Sequence, residues 1–166
     1  MAAAYNWPMQ RTRLNWFAMA LLALTLAACT GPTATPSTPP VSEIDTLDEA
    51  RAAWASSGIA NYDFTISRQC FCTEEYIGPF AVQVRNGVSV ATRLSDGSAV
   101  DPLVLNLLPL SAEELFQFTE ERQEQDSFRV TYDQATGLPL SVWSDPIPAA
   151  ADDELGVEVR DLSVRP

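Results

Sequence analysis

Histidine and lysine are absent from this 166-residue chain, and methionine occurs only at Met1, Met9 and Met19. Without histidine there is no Ser-His or Cys-His pair to activate a nucleophile. Without lysine there is no Schiff base and no phosphate-gripping P-loop lysine. Cysteine is scarce as well: Cys29, Cys70 and Cys72 are too few for a dense disulfide framework or a complete tetrahedral zinc set. Positive charge is also short, with ten basic residues against 22 acids and a formal net charge of −12. That balance repels DNA, RNA and anionic lipid surfaces, so no nucleic-acid partner is expected. Carboxylates, hydroxyls, thiols and arginine are what remain for chemistry.

What is present begins with an apolar run, Leu14–Ala28, preceded by Arg11 and Arg13. Its 15 residues are short for a spanning helix but suit the apolar part of a secretory signal. The run ends Leu26-Ala27-Ala28-Cys29, which resembles the bacterial lipobox. The resemblance implies a diacylglyceryl group on Cys29 and cleavage just before it, making residues 1–28 a lipoprotein signal peptide. The mature chain would keep 8 Arg and all 22 acids, a formal −14. Acyl chains contribute ~0.8 kcal/mol per buried methylene, so such an anchor is durable. Residues 29–45 read as the lipidated cysteine and a Pro/Thr-rich tether, with Pro32, Pro36, Pro39 and Pro40 favouring extended chain at ~3.1 Å per residue. The expected place is extracytoplasmic, lipid-anchored to the bacterial cell membrane. With Thr30 rather than Asp after Cys29, resemblance to sorted lipoproteins implies the outer membrane where the host has two.

Residues 46–166 are long enough for one core-forming domain. Thr46-Leu47-Asp48-Glu49 is a capping box, Leu47, Ala50 and Trp54 follow at helical spacing, and Gly58 is a stop. Ser111-Ala112-Glu113-Glu114 repeats the device, with Leu110 and Leu115 placed to staple it and Phe118 extending the face. Tyr62, Phe64 and Ile66 alternate with polar residues, as do Phe80, Val82 and Val84. Asn86-Gly87 is a hairpin signal into Val88, Val90 and Leu94. Phe128–Tyr132, a turn at Asp133–Gly137, Leu138–Trp143 and Leu155–Val159 complete the set. The expected fold class is α+β: an antiparallel sheet of about six strands with two helices packed on one face, in the order α-β-β-β-α-β-β-β.

Trp54 with Gly58, Asn61-Tyr62-Asp63-Phe64-Thr65 and Cys70-Phe71-Cys72 form one part of a wider pattern. Val82–Gly87, Tyr132-Asp133 with Thr136-Gly137-Leu138-Pro139, and Asp145 with Asp152-Asp153-Glu154 form the rest. Together they resemble a family of bacterial lipoproteins classed as a domain of unknown function, over roughly residues 46–164. The resemblance implies export and the domain limits, and it brings no activity, ligand or cofactor.

If Cys29 is acylated, Cys70 and Cys72 remain as an even pair in an oxidising compartment. In extended strand their Cα atoms would sit ~6.5–7 Å apart, at the limit for a disulfide, and a bend at Phe71 would close the gap. A structural disulfide is the preferred reading. Free thiols, a redox-active pair and a soft-metal site are the alternatives, the last two weakened by the lack of a Cys-x-x-Cys motif and of further ligands. Asp145, Asp152, Asp153 and Glu154 concentrate oxygen ligands that suit Ca²⁺, although the spacing is not an EF-hand, so a solvated, proline-shaped loop is preferred. Glu113, Glu114, Glu120, Glu121 and Glu124 read as a solvated helix face rather than a glycosidase pair. Trp54 and Trp143 read as packing. The expected function is a non-catalytic module, attached to the membrane through its lipid, that binds an envelope protein, a polymer or a small ligand. No cofactor is implied. The alternative is a thiol redox or metal-handling lipoprotein using the Cys-Phe-Cys pair.

Overall fold

The computed structural model describes residues 43–147, 149–150 and 152–166. The expected signal segment, Cys29 and the expected tether as far as residue 42 lie outside the described residues.

Helix α1, Leu47–Ser57, forms where the sequence supplies both ends. Thr46 Oγ1 accepts the Glu49 N–H, and Glu49 Oε2 accepts the Thr46 N–H at 3.1 Å, so two exposed donors are satisfied reciprocally. Gly58, at φ 65°, closes it in the left-handed conformation. Strand β1, Asn61–Gln69, follows with Tyr62, Phe64 and Ile66 buried. A single helical turn, α2 (Glu74–Ile77), leads into β2 (Phe80–Arg85), which turns at Asn86-Gly87 into β3 (Val88–Arg93). Both turn residues have positive φ, as a tight hairpin requires. Then come α3 (Pro102–Leu105), α4 (Ala112–Glu120), β4 (Ser127–Tyr132), β5 (Pro139–Asp145) and β6 (Leu155–Val164).

The strands make one sheet in the order β3-β2-β1-β6-β5-β4, every neighbour antiparallel. Register brings the apolar alternates together: Phe64 lies beside Val82, Ile66 between Phe80 and Val159, and Val157 beside Val142. Helix α4 adds Leu115 and Phe116 to this face and packs against β5. Each large apolar side chain so buried contributes ~1.5–3 kcal/mol. Helix α1 sits close to the β4–β5 turn, where a Cβ on Gly137 would run into the Ala50 carbonyl.

The expected pair of helices on one face, in the order α-β-β-β-α-β-β-β, is corrected by this structure. The six-stranded antiparallel sheet dominates, four helices are described, and the order is α-β-α-β-β-α-α-β-β-β. The physical reason is length. Helices α2 and α3 have four residues each, one turn, too few for a 3.6-residue hydrophobic period to show. Their marks are at the ends only: Asp101 Oδ1 accepts the Leu103 N–H at 2.7 Å, with Pro102 at the first helical position. Strand β6 also runs past the expected Val159, because an irregularity opposite Asp63–Thr65, with Asp161 at φ 56°, lets it resume pairing through Val164.

Candidate functional site

The Cys-Phe-Cys segment stands where β1 ends. The chain bends after Gln69, the Cys72 N–H donates to the Cys70 carbonyl at 2.9 Å, and the two sulfurs are bonded. The Cα atoms are 5.3 Å apart, closer than extended strand would place them. Phe71, between them, is 83% exposed. The pair therefore terminates the central strand and displays an aromatic ring to solvent.

Of the calcium candidates, Asp145 closes β5, Asp152 is exposed at φ 73°, and Asp153 and Glu154 precede β6. Asp145 Oδ1 and both carboxylate oxygens of Asp153 are buried without a hydrogen-bond partner among the described residues. Burial first, then the charges of Asp153 and Glu154, raise the Asp145 carboxyl above the ordinary aspartate range. Among the described residues, no group of three or more acidic or cysteine side chains is arranged to hold a metal ion. Trp54 meets Tyr62 edge-on, with centroids 5.1 Å apart, and Trp143 lies under the Arg129 guanidinium at 4.4 Å. Of the acids on and just after α4, Glu120 pairs with Arg51 at 2.7 Å, tying α4 to α1.

A cleft of about 360 Å³ opens where the end of β1 meets the end of α4 and the α3–α4 connection. Its apolar walls are Leu107, Leu108, Pro109, Phe118 and Leu155, and its cations are Arg68 and Arg122. Arg68 takes the fourth place in the inward series Tyr62, Phe64, Ile66, opposite Val157. Its Nε is buried and has no hydrogen-bond partner among the described residues. Burial lowers its pKa, although a guanidinium stays charged throughout the physiological range. Arg122 lies 3.5 Å from the centroid of the Phe118 ring and donates to the Phe118 carbonyl at 3.0 Å. Burial also lowers Arg122, opposed by Glu121 and reinforced by the charge of Arg68. The two carboxylates at the cleft are already engaged. Glu114 accepts the Leu110 N–H at 2.7 Å, and Glu121 accepts from Gln117 at 2.9 Å and lies 3.4 Å from Arg122.

Neither Cys70 and Cys72 nor the calcium candidates Asp145, Asp152, Asp153 and Glu154 line this cleft. The sequence did carry a signal for it. An arginine at the inward position of an otherwise apolar period-two strand is a charge placed in core register, and such charges are rare unless they have a partner. Neither a curated protein nor a solved structure matches the chain. A family model does, over residues 46–164, a span that takes in every described helix and strand: the chain belongs to DUF6174, a family of unknown function.

Proposed function

We propose that the chain is a lipid-anchored extracytoplasmic binding module, held at the surface of a bacterial membrane by acyl chains on Cys29. The observation that carries this reading is the Leu26-Ala27-Ala28-Cys29 stretch, behind an apolar run and two arginines, with all 22 acids on its far side. The bonded Cys70–Cys72 pair supports an oxidising compartment. Lipid on Cys29 is the attachment this reading calls on. Binding is favoured over catalysis because the chain lacks histidine and lysine, and because its cleft offers apolar walls and arginines rather than an activated nucleophile. Its partners are the membrane, through the lipid, and an envelope protein, polymer or small ligand, through the domain.

The test is fractionation of a bacterial host expressing the full chain, with mass spectrometry of its amino-terminal peptide. The expected product is in the membrane fraction, begins at Cys29 and carries acyl mass. The Cys29→Ser variant should lose that mass and be retained as precursor. A parent chain found in the cytosol with residues 1–28 attached would overturn the reading.

A further inference from the structure

We infer that the cleft between the end of β1 and the end of α4 binds a small organic carboxylate with an apolar body, its charged head held by Arg68 and Arg122. The inference rests on the reading of the domain as a binding module, and it is independent of the lipid on Cys29.

The first support is the state of Arg68. It is set in the inward stripe of the central strand, where Tyr62, Phe64 and Ile66 build the core. Among the described residues, six ion pairs are formed by other arginines, yet none of them involves Arg68. Its Nε–H points to no acceptor among the described residues and is closed off from solvent. An unpaired buried donor is destabilising, and more so when it is charged. A chain with 22 acids could have paired this arginine readily, and instead leaves it on the lining of a cleft with its Nε–H unpaired among the described residues.

The second support is Arg122. Stacked on Phe118 and tied through Nη1 to the Phe118 carbonyl, it is held in place from the end of α4 while lining the same cleft. Two guanidiniums facing one space repel each other, and an anion between them relieves that repulsion. Their planar donor forks match a carboxylate bidentately.

The third support is the surroundings, which choose among anions. Leu107, Leu108, Pro109, Phe118 and Leu155 offer apolar surface that a bare inorganic ion would leave unused. Glu114 and Glu121 at the same cleft disfavour a doubly charged head group. A singly charged carboxylate on an apolar body satisfies both conditions. A volume of about 360 Å³ is at the small end of ligand sites. The body is therefore a short acyl chain or one amino-acid-sized group.

The test is titration calorimetry on the full chain in dodecyl maltoside. The probes are octanoate and N-acetyl-phenylalanine, their neutral primary amides, and inorganic phosphate. Heat from one or both carboxylates, with silent amides, is the expected result, and the tighter of the two tells an acyl chain from an amino-acid source. Arg68→Met should weaken that binding about tenfold or more, the loss of a charge-assisted pair. It should also melt at or above the parent temperature, because it removes an uncompensated cation, a gain that a purely structural arginine would not show. If Arg68→Met does not fold, Arg122→Gln and the shift of the Arg68 Nε–H resonance on titration of the parent chain provide the same reading. Silence with both carboxylates, equal binding of the amides, phosphate binding tighter than either carboxylate, or unchanged affinity in the variants would each overturn the inference. A chain that carries its lipid yet ignores both carboxylates defeats the inference alone. A chain that binds but carries no lipid defeats only the anchor.

Discussion

The Tyr62 hydroxyl accepts the backbone N–H of Ala112 at 2.7 Å, inside the core. That N–H opens α4 and has no intrahelical acceptor, so one side chain of the central strand satisfies a helix donor and docks the helix at once. Burial raises the Tyr62 pKa, which keeps the phenol protonated at neutral pH. Tyr62→Phe should therefore cost about 1–3 kcal/mol, the penalty for a buried donor left alone. Urea denaturation measures it, and a midpoint equal to the parent's would show that the contact carries no stability. Arg68 poses the opposite case three steps of the same alternation further along: a charged donor in the inward series without an acceptor among the described residues. Both residues share one face of β1, and among the described residues Tyr62 has a partner and the Nε–H of Arg68 has none.

At the scale of elements, β1 is the piece on which the others depend, since it pairs with β2 on one side and β6 on the other. Its last residues lead into the Cys70–Cys72 bond, which closes a loop of three residues. Loop-closure entropy for so small a ring amounts to only about 1.5 kcal/mol. The variant carrying Cys70→Ser and Cys72→Ser should accordingly lose about 1–2 kcal/mol while keeping its sheet, a result that circular dichroism and denaturant titration would show together. An unchanged midpoint would remove the structural role of the bond and return attention to the thiols. The helices illustrate how far element ends can be read from residues. The capping box at Thr46 and Glu49 and the stop at Gly58 stand where the sequence places them. At α4, Ser111 Oγ accepts the Glu114 N–H as expected, while Glu114 reaches back to Leu110 rather than to the cap residue. Helices α2 and α3 leave no periodic mark in the sequence, because one turn is too short to repeat.

For the whole molecule, acidity sets two opposing slopes of stability against pH. Burial pulls the Asp63 carboxyl upward, but Arg85 at 2.6 Å and Arg165 at 2.7 Å outweigh it and hold the group below the ordinary aspartate range. The folded state then binds its proton less tightly than the unfolded chain does. The stability this confers is present above the ordinary aspartate pKa and is lost as pH falls through the depressed value. Asp145 has the reverse sign, its carboxyl being raised by burial and by Asp153 and Glu154. Its folded form holds a proton more tightly, so stability declines as pH rises from the ordinary value through the raised one. From these two groups the stability curve should therefore peak near the ordinary aspartate pKa, falling on the acid side through Asp63 and on the alkaline side through Asp145. Asp145→Asn should flatten the limb above that value, and Asp63→Asn should lower the plateau and soften the acid limb. Melting temperatures recorded across this range check both, and limbs unaltered by either substitution would refute the assignment.

Composition, periodicity and end signals determined much of this protein by themselves. The absence of histidine and lysine restricts its chemistry, the alternation of Tyr62, Phe64 and Ile66 makes a half-buried strand, and Asn86-Gly87 makes a hairpin. These are local matters, decided by side-chain chemistry and by backbone conformations available to a few consecutive residues. The tertiary structure alone decided that β1 lies beside β6, that two single-turn helices interrupt the order, and that Arg68 and Arg122, 54 positions apart, face one cleft. Such contacts come from how the apolar faces are buried against one another, and no window of neighbouring residues contains that information.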